Sequence, residues 1–285
     1  MTRGSYYYED SYKDTLAITK GFKKGKKFKR YYQLTDSLFG GDENENPQSI
    51  AVTPNGKVAY VMVADKYSSN NENNWKGNVY KVDIKNKRLI KKGPRFTVGH
   101  GQAMAYNPKT KQLWYVQKVK SINTNIKQIS TSSLKVVKTI NFRLSKTVQM
   151  GNNLAFDKKG RVYFYTRSRG SWGKKDPKNS IKIYQGKISA KKVSFKLIMQ
   201  GIKYPPGQIG QSLGYNPKSN RLYLVDDGEI ISVPVAKLGK LKKSDVRTSV
   251  FEGKREFEGI SFDKYGNGYF LTNKPYELMT TCKGF

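Results

Sequence analysis

Five polar residues recur along this 285-residue chain with spacings of 54, 50, 59 and 47 residues. They are Gln48, Gln102, Asn152, Gln211 and Glu258. Brought together, four amides and one carboxylate would present a ring of oxygen atoms to water, a cation or a polar ligand group. Ca²⁺ takes six to eight oxygen ligands, so we consider a calcium site at Glu258, although one carboxylate is a small charge complement. The alternative is a network of amides and trapped water that holds repeated units in register.

Further groups suited to binding lie close to these positions in the repeats. Asp42 and Glu43, in the run LFGGDENENP, offer a second set of cation ligands, unless that run is simply a solvated loop. Polar loops elsewhere supply aromatic and basic side chains, which are Trp75, His100, Arg167, Arg169 and Trp172. An exposed Trp flanked by Asn, Ser and Arg suits stacking on a sugar face. The alternative is a Trp that folds back over the edge of a sheet.

The scarcity of reactive side chains limits the enzyme classes. The single His, His100, excludes a two-His zinc site, and the single Cys, Cys282, excludes an internal disulfide. No nucleophile elbow, phosphate-binding loop or Cys-x-x-Cys pair is present. A glycosidase needs two carboxylates about 5 to 10 Å apart. The acids that could accompany Glu258 in such a pair are Asp65, Asp226, Asp227 and Glu256.

The net charge points to polyanionic partners. The chain carries 54 Lys and Arg against 21 Asp and Glu, a formal charge of +33. Such a field attracts nucleic acids, anionic lipid surfaces and phosphate-rich wall polymers, unless lysine merely keeps the surface soluble. Three basic runs cover residues 22–30, 85–92 and 237–247. The polyanion-binding residues predicted in them are Lys23, Lys24, Lys26, Lys27, Lys29, Arg30, Lys91, Lys92, Lys240, Lys242 and Lys243.

Each of the five polar residues stands near the start of one repeated unit. The copies read PQSIAVTPNGKVAYVMV, GQAMAYNPKTKQLWYV, GNNLAFDKKGRVYFYT, GQSLGYNPKSNRLYLV and FEGISFDKYGNGYFLT. In every copy, alternating apolar positions lead into a turn built from residues such as Pro, Asn, Asp and Gly. A second strand rich in Tyr, Val and Leu follows. This order of features predicts a β-hairpin.

A hairpin repeated about every fifty residues is typical of β-propeller blades. Third strands such as NVYKVDI and EIISVPV follow the hairpins, and weaker fourth strands such as RFTVG and VSFKLIM come next. The last copy leaves chain for one more strand, whereas DTLAITKGF and KRYYQLTD precede the first copy. We predict an all-β, five-bladed propeller of four-stranded antiparallel blades, forming one domain over residues 1–285. Residues 11–37 would complete the last blade and close the ring, which removes an exposed edge; an irregular β-sandwich is the alternative.

The predicted ring would separate the polar residues from the basic runs. The first strand of each blade lines the channel of a propeller, so the five polar residues would gather at one mouth. The loops between second and third strands would share that mouth. The basic runs fall mainly between third and fourth strands, towards the outer rim and the opposite mouth. The sequence therefore predicts a polar, aromatic mouth for a ligand and a basic underside for a polyanion.

The repeats resemble a known family, the helveticin J-like bacteriocins and related basic secreted propellers of lactobacilli. The segments that carry the resemblance are AVTPNGKVAYVMVADKYSSNN with GNVYKVDI, NNLAFDKKGRVYFYTRS, and EGISFDKYGNGYFLT with YEL. The likeness covers about the last 240 residues. It implies a secreted antibacterial protein or a surface-associated relative, and it supplies no catalytic residues.

These observations favour a non-enzymatic binding protein, extracellular or on the cell surface. It would attach electrostatically to anionic cell-wall polymers of the teichoic acid type, to surface glycans or to an S-layer, with bacteriocin-like activity as a further possibility. The alternative is a propeller hydrolase, either a glycosidase or a metal-dependent enzyme, with its acids at the axial mouth. A third hypothesis is nucleic-acid binding, which would be non-specific because no base-reading motif is present. No apolar run reaches the length of a membrane span.

Overall fold

A computed structural model describes residues 16–17, 23–24, 28–33, 45–119, 121–167, 180–203, 210–226, 229–250, 256–273 and 276–281. Its strands form five sheets, each centred on an antiparallel four-stranded blade, and the fold is a five-bladed β-propeller. Three short strands precede the first blade, namely β1 (Leu16–Ala17), β2 (Lys23–Lys24) and β3 (Phe28–Gln33). Within the described residues, no helix is both long and apolar enough to cross a membrane.

The strands follow one another outward from the axis in each blade. Blade one contains β4 (Glu45–Val52), β5 (Val58–Asp65), β6 (Lys76–Asp83), β7 (Arg88–Lys92) and β8 (Phe96–Thr97). Blade two contains β9 (Met104–Asn107), β10 (Gln112–Lys118), β11 (Thr124–Ile129) and β12 (Val136–Phe142). Blade three contains β13 (Ala155–Phe156), β14 (Val162–Arg167), β15 (Ser180–Ile188) and β16 (Val193–Lys203).

The last two blades follow the same plan. Blade four contains β17 (Gly210–Asn216), β18 (Arg221–Asp226), β19 (Glu229–Pro234) and β20 (Arg247–Val250). Blade five contains β21 (Glu256–Phe262), β22 (Gly268–Asn273) and β23 (Glu277–Thr281). In the part of the chain that the structure describes, three short 3₁₀ helices lie in the connecting loops, at Glu72–Asn74, Val235–Lys237 and Lys243–Asp245.

The innermost strands close into a ring. β4 packs against β9, β9 against β13, β13 against β17, and β17 against β21, while β21 returns to β4. Small polar side chains join neighbouring blades here. Ser49 Oγ donates to the carbonyl of Gly101 at 2.7 Å, and the amide of Val52 donates to Ser261 Oγ at 2.9 Å. Each bond satisfies a backbone group that would otherwise be buried between blades without a partner.

The N-terminal strands attach to three different blades. β3 pairs antiparallel with β23 and supplies the outermost strand of blade five, as the sequence predicts. The two shorter strands do not join that blade. β1 pairs parallel with β16, and β2 pairs parallel with β20, so blades three and four each gain a fifth strand. β1 and β2 therefore each cover two residues on the outer edge of a blade, where they prevent pairing with another chain.

The fourth strand of blade one is divided, which corrects the prediction for RFTVG. β7 pairs with the last part of β6, while β8 pairs with its first residues. Gly93, Pro94 and Arg95 separate the two pieces, and the amide of Gly93 still donates to the carbonyl of Val79 at 2.8 Å. Lys91 and Lys92 consequently lie on the outermost strand and not in a turn. Lysine on an edge strand opposes edge-to-edge aggregation.

The five hairpin turns are each closed by a polar side chain at the end of the innermost strand. Asn107 Oδ1 accepts the amide of Lys109 at 3.0 Å, and Asn216 Oδ1 accepts that of Lys218 at 3.0 Å. The residues in this role are Thr53, Asn107, Asp157, Asn216 and Asp263. Asn and Asp favour such turns because the side chain bonds to the backbone two residues on. The turns that were predicted from the sequence thus form the five hairpins, and the prediction is confirmed.

Candidate functional site

The innermost strands present their side chains to the channel in layers, because residues i, i+2 and i+4 of a strand face the same side. The first layer is the set that we call the axial ring, Gln48, Gln102, Asn152, Gln211 and Glu258. The second layer is apolar and consists of Ile50, Met104, Leu154, Leu213 and Ile260. The third layer is larger and consists of Val52, Tyr106, Phe156, Tyr215 and Phe262.

The channel ends at the hairpin turns, where the fourth layer consists of Pro54, Pro108, Lys158, Pro217 and Lys264. We call the end with the axial ring the amide mouth and the end with the hairpin turns the turn face. The channel therefore passes from a polar layer, through two apolar layers, to a rim of proline and lysine. The apolar interior is a feature that the sequence analysis did not assign to a site.

Gln102 connects the axial ring across the channel. Its Nε2 donates to Oε1 of Gln211, and its Oε1 accepts a hydrogen bond from Nδ2 of Asn152 at 3.2 Å. Because Gln211 belongs to blade four, this side chain links two blades that are not neighbours. Gln48 and Glu258 complete the ring and are buried, with 4% and 2% of their surface exposed. The structure thus places all five residues at the amide mouth and joins three of them directly.

Three axial residues occupy β-bulges. Pairing between the first and second strands skips one residue in blades one, four and five, and the skipped residues are Gln48, Gln211 and Glu258. In blades two and three the innermost strand begins two or more residues after Gln102 and Asn152. A bulged residue leaves the ladder and can be re-aimed. This local departure from the strand pattern explains how the five side chains reach the axis.

The axial ring holds buried acceptors that the described residues do not satisfy. Gln48 Oε1 and Asn152 Oδ1 are buried and accept no hydrogen bond from any described residue. Buried polar groups usually find a partner, such as an ordered water. No group of three or more His, Cys, Asp and Glu is assembled within the described residues. Asp42 and Glu43 lie outside those residues, so a calcium site that includes them and Glu258 stays a prediction.

The loop residues at the amide mouth pack on one another. Trp75 is half-buried, its ring stacks on His100 with centroids 5.4 Å apart, and its Nε1 donates to the carbonyl of Ser69 at 2.9 Å. His100 Nδ1 lies 3.2 Å from Oε2 of Glu72. One face and the polar edge of the Trp75 ring are therefore already engaged. Trp172 and Arg169, predicted for the same mouth, lie outside the described residues.

Arg residues engage two of the acids considered for catalysis. Arg167 Nη1 lies 2.5 Å from Asp226 Oδ1, and both side chains are buried. Arg95 forms an ion pair with Asp65 at the end of β5. Burial raises the pKa of Tyr165, whose hydroxyl lies beside the same region, and Asp226 adds to that rise. Arg167 thus holds two blades together instead of projecting into the mouth, while Asp227 lies outside the described residues.

Acidic residues concentrate at the amide mouth. The strand ends and loops of this end carry Glu45, Asp65, Glu72, Asp226, Glu229, Glu256, Glu258 and Glu277. Burial raises the pKa of the Tyr276 hydroxyl, and the charges of Glu258 and Glu256 raise it further. The same hydroxyl donates to Asn46 Oδ1 at 2.6 Å. Glu258 and Glu256 therefore act on Tyr276 of blade five, whose hydroxyl contacts blade one.

The turn face carries a large set of exposed cations. Neighbouring hairpin turns touch there, since the amide of Lys264 donates to the carbonyl of Pro54 at 2.8 Å and Gly160 packs against Lys109. The turns between third and fourth strands lie at the same end of each antiparallel blade. The exposed cations of these turns are Lys57, Lys85, Lys87, Arg88, Lys109, Lys111, Lys135, Lys158, Lys159, Lys187, Lys191, Lys192, Lys218, Lys237, Lys240, Lys242, Lys243, Arg247 and Lys264.

The predicted polyanion-binding residues divide between this face and the blade edges. Lys240, Lys242 and Lys243 are exposed in the loop between β19 and β20. Lys91 Nζ donates to the carbonyl of Ser132 at 3.0 Å, and Lys92 Nζ lies 5.1 Å from the ring centroid of Tyr80. Lys23 and Lys24 form β2, while Lys29 and Arg30 belong to β3. Lys26 and Lys27 lie outside the described residues.

The sequence reasoning missed the cations of the hairpin turns themselves. Lys57, Lys109, Lys158, Lys218 and Lys264 stand in the turns that were used only to recognise the repeat. Their isolated positions form no charge run, so a search for basic runs passes over them. A comparison of equivalent turn positions in the five copies would have found them.

Comparisons with known proteins assign this chain to no family. The sequence matches no protein-family model and no curated protein. It resembles a glucose dehydrogenase at 11% identity and a TM-score of 0.48, over 91% of this chain and 100% of that one. It resembles the Pseudomonas aeruginosa periplasmic gluconolactonase at 12% and 0.43, over 80% and 65%. It also resembles a chain of a nidogen/laminin complex at 12% and 0.46, over 80% and 73%.

Proposed function

We propose that this protein binds anionic polymers through its turn face and performs no catalysis. The observation that carries the proposal is the collection of exposed lysines from several blades on one end of the propeller. The polymer we propose is a phosphate-bearing cell-wall polymer of the teichoic acid type, met outside the cell or on its surface. Attachment to an S-layer or to surface glycans and a bacteriocin-like activity, both suggested by the helveticin J-like resemblance, belong to the same proposal.

The acids of the turn face offset only a small part of its positive charge. Asp157 is 1% exposed and bonded to Arg161, and Asp245 Oδ1 lies 2.5 Å from Lys237 Nζ. Hydrogen bonds from Asn86 lower the pKa of Asp83, so this carboxylate stays ionised within its own turn. Each acid thus serves a local turn, and a large excess of exposed lysine remains. A polymer with many phosphates can contact several turns at once, which favours attachment without a fixed register.

The salt dependence of binding tests this proposal. Binding to purified bacterial walls would be measured over a range of salt, with walls stripped of their phosphate polymer, inorganic polyphosphate and duplex DNA alongside. Each phosphate that the protein neutralises releases counterions, so affinity should fall steeply with salt. The variant Lys240→Gln/Lys242→Gln/Lys243→Gln should bind more weakly and lower the slope of log K against log salt by roughly two.

A matched control variant separates the effect of the turn face on binding from the effect of net charge. Lys66→Gln/Lys138→Gln/Lys146→Gln removes the same charge from the amide-mouth loops and a blade edge, and should leave the slope nearly unchanged. Equal weakening by both triple variants would show that net charge, and not the turn face, determines binding. Equal affinity for stripped and intact walls, or for DNA and walls, would remove the wall polymer as the specific partner.

A further inference from the structure

The channel contains a cavity that opens at the turn face. Its volume is about 120 Å³, and about 650 Å³ when the space open to solvent is included. Side chains from all five innermost strands form its wall. Ligand sites are typically concave and mostly apolar, with a few polar groups that fix orientation. The five-sided wall and the opening at the turn face fit a slender ligand that enters along the axis.

The inside of this cavity offers almost nothing to a polar ligand. The second layer is wholly aliphatic apart from the Met104 thioether, and the third contributes Val52, Phe156 and Phe262 beside two tyrosines. One of those tyrosines, Tyr215, already has its hydroxyl bonded to Asn220 Oδ1 at 2.9 Å. A sugar or a nucleotide base buried here would lose its hydrogen bonds with water and gain few in return. The wall therefore selects a hydrocarbon group.

The rim of the cavity is positively charged. Lys158 and Lys264 line the opening and are exposed. The neighbouring acids, Asp157 and Asp263, are 1% and 2% exposed and bonded within their own turns. An anionic group at the opening would meet two ammonium groups, and a cationic group would be repelled. The charge of the rim thus complements a ligand with an apolar body and an anionic end.

We propose that the channel binds the hydrocarbon chain of a single-chain anionic amphiphile, of which a medium-chain fatty acid is the simplest example. The chain enters from the turn face and lies against the second and third layers, which removes its methylene groups from water. The carboxylate stays at the rim beside Lys158 and Lys264. The axial ring closes the far end, so the methyl end points towards the amide mouth. The inference goes beyond polymer attachment, since a polyanion without an alkyl chain has no reason to enter the channel.

Calorimetric titration with a medium-chain fatty acid, used below its micelle concentration, tests the proposal. Saturable binding of one molecule per protein is expected. The same chain with a trimethylammonium head should bind much more weakly. Lys158→Gln/Lys264→Gln should weaken fatty-acid binding by about tenfold, because the head group loses both cations. Lys159→Gln/Lys218→Gln removes the same charge from turn lysines that do not line the cavity, and should change affinity by less than about twofold.

Variants that fill the cavity test the position of the chain. Val52→Trp and, separately, Leu213→Phe should reduce fatty-acid affinity by at least about tenfold while polyphosphate binding stays unchanged. A cooperative thermal unfolding transition would show that each cavity-filling variant is folded. The lysine variants test the channel proposal even if a cavity-filling variant fails to fold. If the wild-type protein binds the fatty acid but does not bind polyphosphate, the polymer proposal is overturned and the channel proposal stands.

Several results would overturn the channel proposal. They are an absence of saturable fatty-acid binding, equal affinity for the trimethylammonium amphiphile, and full binding by both cavity-filling variants. Binding to phosphatidylglycerol vesicles without binding of the free fatty acid would also overturn it, because it would assign lipid recognition to the charged face and not to the channel.

Discussion

The Arg167 guanidinium donates to the Asp226 carboxylate across the boundary between blades three and four, with 2.5 Å between Nη1 and Oδ1. The two side chains are 7% and 4% exposed. A buried charge is costly without its counterion. Each residue therefore depends on the other, and together they join the second strands of two blades at the amide mouth.

Breaking this ion pair should destabilise the fold. Arg167→Met leaves Asp226 buried without its guanidinium, and we expect a loss of about 3–5 kcal/mol in the free energy of unfolding. The double variant Arg167→Met/Asp226→Leu removes both charges and should recover most of that loss. Urea denaturation of the wild type and the three variants, including Asp226→Leu alone, measures the coupling. Strictly additive losses in the double variant would contradict the dependence of one charge on the other.

The axial ring should be stabilised by its amide chain. Gln102→Leu removes the donor to Gln211 and the acceptor for Asn152, and unsatisfied buried groups cost about 1–3 kcal/mol each. We expect a total loss of about 2–4 kcal/mol in chemical denaturation. Gln128→Leu is the control, since this half-buried amide lies on the third strand of the same blade, away from the ring. Equal effects of the two variants would remove the special role of the ring.

Calcium should not be needed for this ring. A ligand that binds the folded state raises its stability by RT ln(1 + [L]/Kd). With a single carboxylate in the ring, we expect the thermal midpoint to stay unchanged on addition of millimolar Ca²⁺ or of a chelator. Glu258→Gln, which replaces that carboxylate with a fifth amide, should respond in the same way. A midpoint that rises with Ca²⁺ in the wild type and not in Glu258→Gln would establish a cation site.

Local sequence signals predicted the repeat and the positions of its parts. Alternation around Gln102 and Gln211, followed by Asn-Pro turns, identifies hairpins because both signals act within a few residues. The gathering of the five polar residues at one mouth follows from the repeat. The fourth strand of blade one was harder to predict from the sequence, because the break at Gly93 and Pro94 depends on how two segments pair with one partner strand.

Contacts between distant segments could not be read from the sequence in the same way. The pair Gln102 and Gln211 is separated by 109 residues, and Arg167 and Asp226 by 59. The pairs of residues that contact each other across the axis or a blade boundary depend on β-bulges and on the orientation of each blade. The short strands β1 and β2 show the same limit, because nothing local in Leu16–Ala17 selects β16 as a partner.

The buried turn aspartates should contribute strongly to stability. The Asp157 carboxylate accepts the amides of Lys159 and Arg161 at 2.9 Å each and lies 2.5 Å from Arg161 Nε. Asp157→Ala removes these three bonds and a fourth from the Tyr163 hydroxyl at 3.3 Å, and should cost about 2–4 kcal/mol. Asp157→Asn retains an acceptor for the two amides and should cost less than half as much. Thermal unfolding distinguishes them, and equal losses would show that charge, not turn geometry, dominates.

The buried lysine of blade two should make stability depend on alkaline pH. Lys127 is 8% exposed, its Nζ donates to the Thr97 carbonyl at 2.7 Å, and desolvation with the nearby Lys76 charge lowers its pKa to about 8. Below pH 8 both the folded and unfolded states hold the proton, and the buried charge opposes folding. Between pH 8 and the unfolded pKa of 10.5 the folded state releases the proton first. The unfolded state then binds more protons, so stability rises with pH.

This rise can be isolated with the variant Lys127→Met, which cannot titrate at this position. Between pH 7 and pH 10.5, the free energy of unfolding of the wild type should increase relative to that of the variant by at most about 3 kcal/mol. Denaturation curves at several pH values measure the difference, and the other lysines, common to both proteins, cancel. A difference that stays constant over this range would mean that Lys127 keeps an ordinary pKa in the folded protein. A difference that falls would mean that the folded state holds the proton more tightly.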